Sequence, residues 1–532
     1  MRGFSSVALL VGALLANAAD ISTAELPAEL LRALNRSSDG RIDVLVSMRE
    51  PRPRELLSLK AIRRRLRQQH KSCEAATPDT VQAMVEGLQQ HARQSQRLVL
   101  EALDIANETT YDDVTSLWIS NEVSIRGATK EVLESVHELP VVGRIRIEQG
   151  GWLPHTIVTK PSDSPAAVMN ITDCGSASAD GSEAADDVIE PPSTIGHLSA
   201  SSSSPLNAST ETPVSPRLTA VQNWALERVQ APAVWARGLQ GEGVRVATMD
   251  SGILASHASL AGRMVERVGW FDAVDGSSEP IDPSGHGTSV LSILAGSNGL
   301  GVAPKASWLA CRACDDTNFC GESFALECAQ FLLCPFDDKR QLDCTKRPHV
   351  INMSWNYDAP EERALQPAID AWIAAGIVPV FANGNAGPSC GSVASPADWA
   401  PGFSVGATTA TDDIAKLSAR GPSPTGEVKP DLSAPGFDVP AAGTKTADAV
   451  VNVRGTSAAA PLVSGAVALL LQAHPQLSLA TLKTLLTQSS DRSVVQHSAN
   501  EMCSAGNAAF PNNVYGHGRL NVLQAIDLAS RS

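Results

Sequence analysis

The chain has 532 residues, of which 43% are hydrophobic and 19% charged, so it folds in water and has room for more than one domain. A net charge of −15 argues against nucleic acid as a partner. After the first twenty residues no segment is expected to span a membrane.

Residues 1–18 read as a signal peptide. Arg2 supplies the positive end, residues 7–15 the apolar core, and Ala16-Asn17-Ala18 the small-residue cleavage site. Export would place the ten cysteines in an oxidising compartment. Residues 19–150 then have the pattern of a small α+β unit. Residues 42–48 read as a strand. Val81, Val85, Leu88, Ala92, Val99 and Leu103 recur at helical spacing across 80–106. Residues 113–128 alternate as one or two strands, 129–139 form a short helix with Thr129 as its cap, and 142–148 alternate again. This order approximates the split β-α-β arrangement of ferredoxin-like folds. The charged stretch 51–70, with Arg63, Arg64, Arg65 and Arg67, fits that scheme poorly and reads as a solvated helix face or a nick site.

Residues 151–217 are rich in Ser, Ala and Pro, above all from 159 onward. They hold too little apolar surface to offset the entropy of ordering, so a linker is expected. Asn35, Asn107, Asn170 and Asn207 begin N-x-[ST] sequons. Residues 218–532 are globular. Candidate strands at 244–249, 306–313, 350–355, 377–382 and 403–407 alternate with helical patterns at 287–295, 323–333, 364–375 and 458–473. That alternation predicts an α/β domain with a doubly wound, mostly parallel sheet covered by helices on both faces. Eight cysteines lie in this part, six of them between Cys311 and Cys344. Cys311-x-x-Cys314 lacks the second half of a zinc site, so disulfides are favoured. Their pairing is not legible, although Cys390 and Cys503 are left over for a long-range bridge.

Ser457 opens a run, 458–473, that is apolar on every side and reads as a buried helix. Pro461 is expected in its first turn, where a missing N–H has no partner to lose. Ser457 then stands at the helix N-terminus, either as a cap or as a nucleophile whose anionic intermediates the helix end favours. The upstream chain decides between these. Asp250 directly follows the strand 244–249, as a turn cap or as an anion that orients a histidine. His286 lies between Gly285 and Gly287 ahead of a helix, where a lone histidine is more often a cap. Asn385 stands just past the strand 377–382 in a Gly/Asn cluster. It is either a turn residue or an amide donor to an oxyanion, worth about 2.7–4 kcal/mol. Asp, His and Ser in this order, each beside glycine and each at an element end, fit nucleophilic catalysis. Ser457, in Gly455-Thr-Ser-Ala-Ala459, does not stand in the G-x-S-x-G elbow of lipases and esterases.

The segments Asp250-Ser-Gly, Gly285-His-Gly-Thr-Ser, Gly384-Asn385 and Gly455-Thr-Ser-Ala-Ala-Ala-Pro461 resemble the signature blocks of subtilisin-like serine proteases (subtilases, peptidase family S8). Trp224-Ala-Leu-Glu-Arg-Val, Val302-Ala-Pro, Asn352-Met-Ser-Trp355, Ser418-Ala-Arg-Gly-Pro422 and Lys429-Pro-Asp-Leu-Ser-Ala-Pro-Gly436 support the likeness, which covers essentially all of 218–532. The cysteine-rich insertion and the run 383–390 most resemble the bacillopeptidase F-like branch. The resemblance implies that Asp250, His286 and Ser457 form the triad, with the Asn385 side chain and the Ser457 backbone N–H as oxyanion hole. It implies a first specificity pocket lined by Ser354, Trp355, Asn356, Ala382 and Gly384. Asn356 stands where the family has glycine, which alters the pocket rim. His257, seven residues after Asp250, matches a structural histidine rather than the base. Residues 19–150 would be a propeptide acting as folding chaperone and inhibitor, removed autocatalytically between about 150 and 218. No cofactor is required. Structural calcium, bound by many members, is left open because no Asp-rich loop has convincing ligand spacing. The expected product is a secreted, monomeric endopeptidase that cleaves proteins and peptides through an acyl-enzyme, with no nucleic-acid or membrane partner. Competing readings are an exopeptidase with a closed cleft, an inactive peptide binder and a structural surface protein.

Overall fold

The computed structural model describes residues 26–57, 77–106, 109–153, 221–357, 359–493, 503 and 509–531. The signal peptide, most of the linker, the Arg63–Arg67 cluster and the sequons at Asn107, Asn170 and Asn207 lie outside these residues.

The N-terminal segment runs α1 (Ala28–Arg36), β1 (Arg41–Met48), α2 (Pro78–Ser95), α3 (Arg97–Ile105), β2 (Asp113–Leu117), β3 (Glu122–Thr129), α4 (Lys130–His137), β4 (Val142–Ile147) and β5 (Gly150–Trp152). Strands β1 to β4 form an antiparallel sheet in the order β2-β3-β1-β4. The apolar stripe of 80–106 is two helices rather than one. They part at Gln96, which is buried and spends its amide on the Glu122 carbonyl and on Ser116 Oγ. Thr129 holds the N-cap position of α4, but its hydroxyl makes no capping bond. Helix α1 and strand β5 were not anticipated from the sequence, although Leu30 and Leu34 of α1 stand at helical spacing on its buried face.

The second part contains β6 (Arg245–Asp250), β7 (Trp270–Asp272), α5 (His286–Ala295), β8 (Ser307–Arg312), β9 (Phe319–Gly321), α6 (Glu322–Leu333), β10 (Val350–Met353), β11 (Asn356–Tyr357), α7 (Gln366–Ala374), β12 (Val378–Ala382), β13 (Phe403–Thr408) and β14 (Leu432–Pro435). It closes with the hairpin β15 (Val439–Ala442) and β16 (Val450–Val453), then α8 (Thr456–Ala473), α9 (Leu479–Gln488) and α10 (Val522–Ala529). Seven strands form one sheet, β14-β13-β12-β10-β6-β8-β7, and every pairing in it is parallel. This is the doubly wound α/β sheet expected from the alternation. Its central strands are buried along their whole length, because helices cover both faces. One apolar cluster gathers α5, α8, α9 and α10, and a second gathers α6 and α7 with Val81, Met84, Val85 and Leu88 of α2.

From β6 the chain winds to β8 and β7 on one side, and from β10 to β12, β13 and β14 on the other. The carboxyl ends of β6 and β10 therefore flank a topological switch point, where a crevice forms in open α/β sheets. Helix α8 is long and apolar enough to cross a membrane, yet its residues 456–471 are all buried within the domain. Pro461 lies inside this helix, not in its first turn as expected. The N–H it lacks would have bonded the Ser457 carbonyl, four residues back.

The eight cysteines among the described residues pair as Cys311–Cys328, Cys314–Cys320, Cys334–Cys344 and Cys390–Cys503. The two cysteines of the C-x-x-C thus enter different bridges, and the last pair spans 113 residues.

The N-terminal segment contacts the second part through β5 and a group of charges. β5 pairs antiparallel with β9 on one side and β11 on the other, completing a three-stranded sheet. The Arg146 guanidinium grips the fully enclosed Glu322 carboxylate with both nitrogens, one bond being 2.6 Å, and also reaches Glu122 at 3.1 Å. Glu148 accepts from the Ser323 N–H and hydroxyl, both at 2.7 Å, and so caps the first turn of α6.

Candidate active site

Asp250 is the last residue of β6 and is 1% exposed. One carboxylate oxygen accepts from the Ser251 N–H at 2.8 Å and meets His286 Nδ1 at 2.7 Å. His286 opens α5. The preceding Gly285 has φ 80°, the left-handed turn that a side chain resists, and a Cβ on Gly287 would stand 2.2 Å from the Gly252 carbonyl oxygen. These glycines let α5 begin close against the end of β6, which brings the imidazole onto the carboxylate.

A residue that sequence reasoning missed secures this turn. Asp282 accepts from Ser251 Oγ and the Gly285 N–H with one oxygen, and from the Thr288 N–H and hydroxyl with the other, at 2.5–2.8 Å. Burial pushes its pKa up even though these four donors pull it down. Its signal in the sequence is weak: one aspartate in a polar loop ahead of the histidine. The His286 pKa reflects two opposed effects. Burial lowers it, but the charge and hydrogen bond of Asp250, with Asp282 behind, outweigh burial and hold it above its ordinary value.

Ser457 is the second residue of α8 and lines a small pocket together with His286. Its hydroxyl donates to the Ser354 carbonyl at 2.9 Å, while the Ser354 hydroxyl donates back to the Ser457 carbonyl at 3.0 Å. The second bond fills the vacancy that Pro461 creates. Ser354 in turn accepts from Asn352 Nδ2 at 2.9 Å, and Ser464 Oγ fixes Asn352. His286 Nε2 has no hydrogen-bond partner among the described residues.

Asn385 accepts from the Thr456 N–H and hydroxyl, both at 2.9 Å, through Oδ1. That leaves its Nδ2 as the end available to a ligand. A Cβ on Gly455 would stand 3.0 Å from Asn385 Nδ2 and 3.6 Å from the Ser457 nitrogen, so the two donors lie against the same small space.

The residues expected at the first specificity pocket divide. Asn356 and Gly384 line a cavity of about 690 Å³ beside Asn385, together with Ala386, Val393 and Ala394. Ala382 contributes its carbonyl, which accepts from Asn356 Nδ2 at 2.9 Å and ties down the altered rim. Ser354 faces Ser457. Trp355 is fully buried and donates to the Met249 carbonyl at 3.1 Å. His257 bonds Ser259 Oγ at 2.9 Å and the Ala449 carbonyl at 3.0 Å, which occupies both ring nitrogens, and burial lowers its pKa.

A hydroxyl, an imidazole fixed by a carboxylate and two converging N–H donors are the equipment for acyl transfer. Comparison with known proteins points the same way. Residues 241–518 match the model described as the Subtilase family. The chain is 33% identical over 327 residues to Bacillopeptidase F of Bacillus subtilis (strain 168), a match covering 57% of this chain but 22% of that protein. It is 32% identical to Subtilisin Savinase of Lederbergia lenta, covering 56% of this chain and 96% of the relative. It is 30% identical to Serine protease AprX of Bacillus subtilis (strain 168), covering 51% and 67%.

Proposed function

The chain belongs to the subtilase family of subtilisin-like serine peptidases, and on that premise we propose that it is a secreted endopeptidase, made as a zymogen, with Asp250, His286 and Ser457 as its triad. The observation that carries this reading is the buried Asp250–His286 bond of 2.7 Å beside the pocket that holds Ser457. In the reaction Ser457 Oγ leaves the Ser354 carbonyl, gives its proton to His286 Nε2 and attacks the substrate carbonyl carbon. Asp250 holds the imidazole in the tautomer with Nδ1 protonated and steadies the imidazolium. The oxyanion is received by Asn385 Nδ2 and the Ser457 N–H at the start of α8, where the helix end adds to the field. His286 then passes its proton to the leaving amine, and water releases the acyl group by the same steps in reverse.

Residues 19–150 are proposed as the propeptide. Its strand order β2-β3-β1-β4 is that of a ferredoxin-like sheet, and β5 lies where a substrate would add between β9 and β11. A cut between about 150 and 218 would release it, with the linker on one side or the other. Monomeric state and export follow from the same reading. An endopeptidase is favoured over an exopeptidase because β5 enters the slot directly from β4, so the cleft is open to a continuing chain at that end.

Labelling of the processed protein with a fluorophosphonate, read by peptide mass spectrometry, tests this. The label is expected on Ser457, and Ser457→Ala is expected to lose both label and casein cleavage. A fully processed protein that takes no label would overturn the reading.

A further inference from the structure

We infer that the cleft selects glycine at the substrate residue that pairs with Tyr357, an inference that rests on the peptidase reading and names one of its substrate requirements. The observation is the chain already seated there. In β5, Gly151 pairs with Tyr357 on one side and Cys320 on the other. A Cβ at Gly151 would stand 2.4 Å from the Asn356 carbonyl oxygen and 2.7 Å from Trp355 Cε3, inside any tolerable contact.

Neither neighbour is free to withdraw. The carbonyl belongs to the backbone of β11. The Trp355 indole is fully buried, is pinned by its bond to the Met249 carbonyl, and packs edge-on against the buried Tyr357 ring at 5.6 Å. The Asn356 carbonyl and the Trp355 ring, backed by Tyr357, therefore fill the space that a substrate side chain would need. Gly150 meets a softer version of the same wall. A Cβ there would lie 2.4 Å from Phe319 Cζ, which can swing, and 2.6 Å from the carbonyl of Cys320, which its bridge to Cys314 helps to hold. The next position behaves oppositely: Trp152 is 44% exposed and rests its ring against Phe319 at 5.1 Å. The slot thus reads small, small, large.

The register places this selection relative to the reacting bond. Trp152 pairs with Asn356 in antiparallel sense. A substrate in that register sets the residue two further on opposite Ser354, whose carbonyl lies 2.9 Å from Ser457 Oγ. The glycine position is three residues before that one. A strand holding two flanking edges cannot slip by one residue without losing its ladder, so substrates with a side chain there bind poorly instead of shifting.

Processed enzyme is assayed with internally quenched peptides that differ only at this position, as Gly, Ala or Leu, each followed by Trp-Leu, with the cut bond mapped by mass spectrometry. The glycine peptide is expected to show kcat/KM at least tenfold above the alanine peptide and a hundredfold above the leucine one. Trp355→Ala is expected to narrow the Gly/Leu ratio at least tenfold. A leucine peptide cut at the same bond within threefold of the glycine peptide overturns the selection and leaves the peptidase reading standing. Failure to cut any peptide overturns the peptidase reading itself, and the selection with it.

Discussion

Replacing Arg146 by Met should loosen the N-terminal segment in a way that grows with pH. Glu322 is fully enclosed, and burial pushes its carboxyl up to about 7 even though the Arg146 fork pulls it down. A docked pKa above the ordinary 4.5 means that Glu322 favours docking fully below pH 4.5, and that this contribution is lost as pH rises through about 7. Below pH 7 the docked parent and variant both carry the proton, so Arg146→Met forfeits only hydrogen bonds to a guanidinium, about 1–3 kcal/mol. Above pH 7 the parent docks as an ion pair, whereas the variant must still protonate Glu322, at roughly 1.4 kcal/mol per pH unit. By pH 8.5 this adds about 2 kcal/mol, giving about 3–5 kcal/mol in all, the range known for breaking a buried pair. Hydrogen exchange of the β5 amides in the intact Ser457→Ala chain, corrected for intrinsic rates, should read the difference. Exchange in the variant should be about 10- to 100-fold faster at pH 6 and roughly 200- to several-thousand-fold faster at pH 8.5. An equal ratio at both pH values would refute the reasoning.

The site yields further expectations. Asn385→Ala should lower kcat about 10²–10³-fold with KM little changed, measured by steady-state peptide hydrolysis, because its amide meets charge that exists only in the transition state. His286 acts as a base only when neutral, and Asp250 holds its pKa above 6.5, so kcat/KM should rise with pH through a midpoint above 6.5. In Asp250→Asn that midpoint should fall and kcat drop by roughly 10⁴. His257→Gln should lower the melting temperature by several degrees yet leave kcat/KM within about threefold, whereas His286→Gln should abolish turnover; a large loss of kcat in the first would make His257 part of the machinery.

The four residues of the proposed machinery were legible because each stands at an element end, and hydrophobic runs mark those ends well. Asp250 terminates β6 and His286 begins α5, so the pattern that located the strand and helix also located the chemistry. The supporting wiring was not legible. Asp282 acts on backbone N–H groups across a loop and leaves no periodic trace. Pro461 did announce that the Ser457 carbonyl lacks a helical donor, but its placement in the first turn hid that consequence, and nothing in the sequence names Ser354 as the substitute donor. β5 escaped notice because three residues are too short to show alternation and its two glycines are poor strand formers. Its conformation is imposed by β9 and β11, which is tertiary override of local preference.

The pairing of β5 has a consequence for what the cleft could act on. Take β5 away, and β9 and β11 become two facing edges whose unpaired N–H and C=O groups are open to any chain that reaches both. Neighbouring strands sit about 4.8 Å apart, so the gap admits one backbone, and only when stretched out with the donors and acceptors of both its sides uncommitted. A helix has spent those groups on itself, and a strand inside a sheet has spent them on its neighbours. The slot would therefore test the folded state of its target before the identity of any side chain. Loops, termini and unfolded polypeptide would qualify as targets, and the interiors of well-folded domains would be passed over.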